Sequence, residues 1–160
     1  MVSIKELSER FKKADKKQMR ILWKDDADLF PIMGNSKRFG EMLALEYINK
    51  IDPEQEKQFS AITVILPDDT LYISYRGTDN TLIGWKEDFN ISFKSHIASQ
   101  ISAKKYLENI AKKYPYKKIR IGGHSKGGNL AVYASVFVDS EIQKSCLLYT
   151  SPSPRDPKTS

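Results

Sequence analysis

Apolar and polar positions recur with two different periods along this 160-residue chain. Ile4, Leu7 and Phe11 fall at helical spacing behind Ser3, with Glu6 three residues beyond the serine. That is the pattern of a capping box opening a helix. Residues 24–40 mix apolar and charged positions around Pro31, Gly34 and Gly40, which predicts a loop with short helical pieces. The segment Glu41–Ile51 predicts a helix that buries Met42, Leu43, Leu45 and Tyr47. Phe59–Leu66 (FSAITVIL) and Thr70–Tyr75 (TLYISY) are rich in β-branched and aromatic residues, and Pro67, Asp68 and Asp69 between them carry turn chemistry. These two runs predict a strand pair. Ile97–Tyr114 returns to helical spacing and is closed by Pro115. Lys117–Ile121 (KKIRI) predicts a short strand, and Asn129–Val138 an apolar, buried helix. A strand, a long helix, a strand and a helix in that order predict parallel crossover units, and so an α/β protein.

Composition narrows this picture. A hydrophobic share of 40% with 29% charged residues is that of a globular domain with a core. No apolar run approaches the length of roughly 18 residues that a membrane span needs. The N-terminal MVSIKELSERFKKADKK has no apolar stretch of a signal peptide, and the expected location is cytoplasmic. The formal charge of +6 arises from 26 basic and 20 acidic residues. Its densest cluster, Lys12, Lys13, Lys16 and Lys17, has no aromatic or glycine-rich company, so it reads as a solvated helix face and no nucleic-acid partner is expected. The single cysteine, Cys146, can form neither an internal disulfide nor a cysteine-based zinc site. The acidic pair Asp68–Asp69 reads as a solvated turn, and no metal or organic cofactor is implied.

The strongest chemical signal is Gly123-His124-Ser125-Lys126-Gly127, after a predicted strand and before a predicted helix. A G-x-S-x-G run in that context is a nucleophile elbow, in which a sharp turn holds the serine hydroxyl clear of the backbone. Glycines flank the turn where side chains would collide. The helix N-terminus behind the serine presents unbonded N–H groups that favour developing negative charge. Ser125 is therefore the candidate nucleophile, and the Lys126 backbone N–H one candidate oxyanion donor. Gly123, His124 and Gly127 complete the elbow. A glycine-rich turn of this kind can also cradle phosphate, but no Gly-Lys-Ser/Thr ends the loop as a P-loop requires. The second signal is Arg76-Gly77-Thr78-Asp79, directly after the strand TLYISY. The other oxyanion donor of a serine hydrolase comes from a loop after an earlier strand, which makes Thr78 the candidate.

RGTDNTLIGWKEDF followed by GHSKGGNLA resembles the lipase class 3 superfamily, and within it the bacterial Mbeg-like α/β hydrolases. The resemblance runs from about Arg38 to Ser145. It implies the N-terminal part of an α/β-hydrolase fold, three-layered with a mostly parallel sheet, and incomplete. It maps the oxyanion residue onto Thr78 and the nucleophile onto Ser125, and it gives Trp85 and Asp88 a structural or lid-related place. Lys126 stands where typical lipases carry an apolar residue.

The triad of this class runs Ser, Asp, His in chain order, and no histidine follows Ser125 here. The two histidines are His96 and His124, neither suited to be the base, and Asp139 follows the elbow too closely to be the triad acid. The closing residues change character as well. CLLYTSPSPRD, with Pro152 and Pro154 and then Pro157 beyond, resembles a translated sequencing adaptor of transposon type. The expectation is thus a truncated hydrolase domain over residues 1–145 and a non-native or disordered tail over 146–160. A full-length parent would act on a small-molecule or lipid ester, while this fragment would be inactive. The alternative is a non-catalytic binding module that keeps the hydrolase fold.

Overall fold

The computed structural model describes residues 1–14, 24–52, 54, 57–78 and 97–148. Its elements are β1 (Val2–Ser3), α1 (Ile4–Lys13), α2 (Lys24–Asn35), β2 (Leu43–Asp52), β3 (Lys57–Ile65), β4 (Leu71–Tyr75), α3 (Ala98–Lys113), β5 (Ile119–Gly123), α4 (Lys126–Phe137), α5 (Ser140–Ser145) and β6 (Cys146–Leu148). The six strands form one sheet in sequence order. Neighbours are antiparallel from β1 to β4 and parallel from β4 to β6. The α/β expectation holds, but the sheet is mixed rather than mostly parallel. Short turns can join β2, β3 and β4 only as antiparallel neighbours, whereas α3 and α4 are long enough to carry the chain back for parallel pairing.

Ser3 opens α1 as expected, its Oγ accepting the Glu6 N–H at 3.1 Å. The Glu6 carboxylate pairs forward with Arg10 at 2.6 Å. Residues 24–35 are one continuous helix, where a loop with short helical pieces was expected. Pro31 removes a hydrogen bond inside it, and contacts with α1 override that loss. Phe30 meets Phe11 edge-to-face at 5.4 Å, and Gly34 lies where a Cβ would stand 2.3 Å from that of Ser8.

The largest departure is β2, where a helix was expected. Leu45 pairs with Thr63 and Ile48 with Ala61, so Glu46 and Tyr47 together oppose Ile62 in a β-bulge. Glu46 takes the left-handed backbone that the bulge needs, with φ 52°. The bulge puts Leu45 and Ile48 on one face three residues apart, which imitates helical spacing. Two residues of α3 stitch it down. The Tyr106 hydroxyl donates to the Glu46 carbonyl at 2.7 Å, and Lys113 pairs with the Glu46 carboxylate.

The hairpin of β3 and β4 forms as expected, with Asp69 at φ 62° in its turn and Asp68 accepting from the Thr70 N–H. Strand alternation puts Leu71, Ile73 and Tyr75 on the same face as Ile119 and Ile121, all buried. Helices α3 and α4 cover that face through Leu107, Ile110, Leu130 and Ala134. Among the described residues both crossover helices lie on this face, and Val64, Tyr72 and Arg120 line up across the other. Helix α4 is less buried than its composition suggests, since Val132, Val136 and Phe137 face outward, as does Ile101 of α3. Cys146–Leu148, assigned by the sequence to the tail, lie beside β5 as β6, and residues 149–160 are outside the described part.

The core carries its own pH dependence. Burial pushes the Tyr75 phenol well above its ordinary value of 10.0 and that of Tyr106 up to about 12. Unfolded tyrosines lose their protons near pH 10, while these two keep theirs in the folded state. The two tyrosines therefore contribute stability that is fully present below about pH 10 and is lost as the pH rises towards 12. Urea midpoints of the protein at pH 8, 10 and 11 would show it. Tyr106→Phe should lower the midpoint at pH 8, by about 1 kcal/mol for the lost hydroxyl, and make the alkaline fall shallower. An unchanged slope would refute the role given to Tyr106.

Candidate active site

Strand β5 ends at Gly123, His124 bends the chain, and α4 starts at Lys126. Ser125 sits between them with φ 56° and ψ −123°, a conformation that non-glycine residues rarely adopt. The Gly127 N–H donates to the His124 carbonyl at 2.9 Å, and the Asn129 N–H to the Ser125 carbonyl at 3.2 Å. The turn is therefore tight and leads directly into the helix. Ser125 and His124 are exposed on it.

Two glycines are required by close backbone approach. A Cβ on Gly123 would lie 2.4 Å from the Gly127 carbonyl carbon, and one on Gly127 would lie 2.2 Å from the Tyr75 carbonyl oxygen. Tyr75 and Gly123 are paired neighbours at the ends of parallel strands. The loops that follow these two strands consequently emerge side by side. Gly77 lies where a Cβ would stand 2.9 Å from the His124 carbonyl oxygen. The turn Arg76-Gly77-Thr78 thus lies against the elbow, and the two motifs, nearly fifty residues apart in sequence, share one end of the sheet.

The Lys126 side chain turns inward. It is only 4% exposed, and its Nζ donates to the Gln58 carbonyl at 3.1 Å. Ser99 Oγ donates to the same carbonyl at 2.9 Å, and Gln100 bridges the Ile97 N–H and the Asn129 side chain. This polar cluster below the elbow joins β3 with the first turns of α3 and α4. Sequence reasoning missed Gln58, Ser99, Gln100 and Asn129. Each is a common polar residue with no motif of its own, and only the fold brings them together.

Asp139 caps α5, its carboxylate accepting the Glu141 N–H at 2.9 Å. It lies at the far end of α4, about 18 Å from the elbow at 1.5 Å per residue. It is not positioned to act with Ser125. His96, Trp85 and Asp88 lie outside the described residues. Among the described residues no three His, Cys, Asp or Glu side chains are grouped to hold a metal ion, and no helix is long and apolar enough to cross a membrane.

A serine turn framed by glycines at the end of the central parallel strand, with crossover helices beside it, gives the chain the partial fold of a lipase-type α/β hydrolase. The chain belongs to the Mbeg1-like family, whose pattern it matches over residues 33–156. No curated protein matches it in sequence. Among solved structures it is similar to a fungal lipase in an inhibitor complex, described as a model for interfacial activation in lipases. The TM-score is 0.55 at 19% identity, over 72% of this chain and 50% of that one. It is also similar to the Rhizomucor miehei lipase–propeptide complex, with a TM-score of 0.47 at 16% identity, over 95% of this chain and 51% of that one. The chain spans about half the length of the solved chains it matches.

Proposed function

We propose that the full-length protein is a serine hydrolase that cleaves carboxylic esters of small molecules or lipids through an acyl-enzyme on Ser125. The observation that carries this reading is the Ser125 backbone, held at φ 56° at the start of α4 between two glycines that tolerate no side chain. In this mechanism Ser125 Oγ attacks the ester carbonyl and passes its proton to a general base. The backbone N–H groups of Lys126 and Thr78 stabilise the oxyanion, and the alcohol leaves with that proton. Water then releases the acid from the serine. No histidine follows Ser125 in these 160 residues. The proposal therefore places the base, and the acid that orients it, in sequence outside them, as the half-length match to the fungal lipase allows.

The test is a fluorophosphonate probe applied to the full-length protein, with the labelled residue located by mass spectrometry. Labelling confined to Ser125 is the expected result. A folded protein that takes no label would overturn the proposal and leave a binding module built on the hydrolase fold.

A further inference from the structure

We infer that Lys126 acts as a positioning residue, and that its buried ammonium ties the elbow to the strand that also holds the Thr78 loop. This rests on the hydrolase reading of Ser125. The anchor is β3, which runs past the end of β4. The Arg76 N–H, just beyond β4, donates to the Ser60 carbonyl at 3.0 Å. Two residues further along β3 the Gln58 carbonyl points the same way, because carbonyls alternate in direction along a strand. There β4 has already ended. The Lys126 ammonium and the Ser99 hydroxyl both donate to the Gln58 carbonyl, at 3.1 and 2.9 Å. The loop bearing Thr78 and the residue bearing the second candidate donor are thus fastened to neighbouring carbonyls of one strand. Strand β3 sets the spacing between the two N–H groups that the oxyanion needs.

An apolar side chain would fill the same space without burying a charge. It would also take one hydrogen bond from the Gln58 carbonyl, which costs stability whether or not the elbow moves. Lower stability alone is therefore no sign of a positioning role. Misplacing a preorganised donor, by contrast, directly weakens transition-state stabilisation.

The experiment compares the full-length protein with its Lys126→Met variant by thermal midpoint, amide hydrogen exchange at residues 124–128, and rate of fluorophosphonate labelling. The variant is expected to fold but to melt at a lower temperature, and its elbow amides to exchange faster. Its labelling should slow by about 10- to 100-fold, less than outright removal of an oxyanion donor. A variant that fails to fold, or that folds and keeps the parent's exchange or labelling rate, overturns the inference. If the parent itself takes no label but exchange at the elbow still rises in the variant, the positioning role stands and the hydrolase reading falls.

Discussion

In the full-length protein, Ser125→Gly should abolish the proposed ester hydrolysis while raising stability above that of the parent. The two effects have separate causes. The hydroxyl is the proposed nucleophile, and removing such a group from a serine hydrolase lowers kcat by about 10⁶-fold in the best-studied protease case. The stability effect comes from the backbone. At φ 56° and ψ −123° a side chain crowds its own main chain, a strain of about 1–3 kcal/mol. Glycine relieves it but adds about 0.5–1 kcal/mol of unfolded-state entropy. The net gain should be on the order of 1 kcal/mol. Ser125→Ala separates the causes, because alanine lacks the hydroxyl yet keeps the strain. Both variants should be inactive, and only the glycine variant should show a higher urea midpoint. Equal midpoints for the two would refute the strained elbow.

Gly127→Ala is expected to be the most damaging of the small substitutions. The added methyl would lie 2.2 Å from the Tyr75 carbonyl oxygen and 3.0 Å from its carbon. That backbone has little room to retreat. Tyr75 is buried, its strand is paired on both sides, and its hydroxyl donates to the Ala103 carbonyl at 2.8 Å. Relief would require β4 and the elbow to separate, which unseats Gly77 and Thr78 as well. A loss above about 4 kcal/mol is expected, enough to prevent folding of a marginally stable domain. Gly128→Ala is the control. Its methyl would lie 3.0 Å from the Gly123 carbonyl, and that crowding is set against a gain of about 1 kcal/mol in helix propensity. Circular dichroism and urea titration of the pair would distinguish them. Similar midpoints would mean that β4 and the elbow are less tightly apposed than their geometry indicates.

The parts of the site that were legible in the sequence are those whose cause is local. A serine between two glycines, after a β-rich run and before an apolar helix, specifies a turn through steric rules that act over five residues. Pro67, Asp68 and Asp69 specify the hairpin turn in the same way, and Ser3 the start of α1. The order of β4, α3, β5 and α4 was legible because each long element has one dominant period and parallel strands need a crossover between them.

The errors arose where the deciding partner is distant. The segment from Glu41 reads as helical on Met42, Leu43, Leu45 and Tyr47, but Leu43 and Tyr47 are exposed and its strand identity comes from pairing with β3. Residues 24–35 form a helix despite Pro31 because α1 supplies Phe11 and Ser8 to pack against. The inward turn of Lys126 carries its ammonium to the Gln58 carbonyl of β3, a contact made across the fold. The sequence by itself determined the elbow turn, the hairpin and the parallel pairing of β4 with β5, but not β6, because steric exclusion and the need for a crossover are written into the local pattern. Only the tertiary structure decided the bulged strand, the proline-bearing helix and the buried lysine. In each of these the residue's own preference is weak, and a contact made across the fold outweighs it.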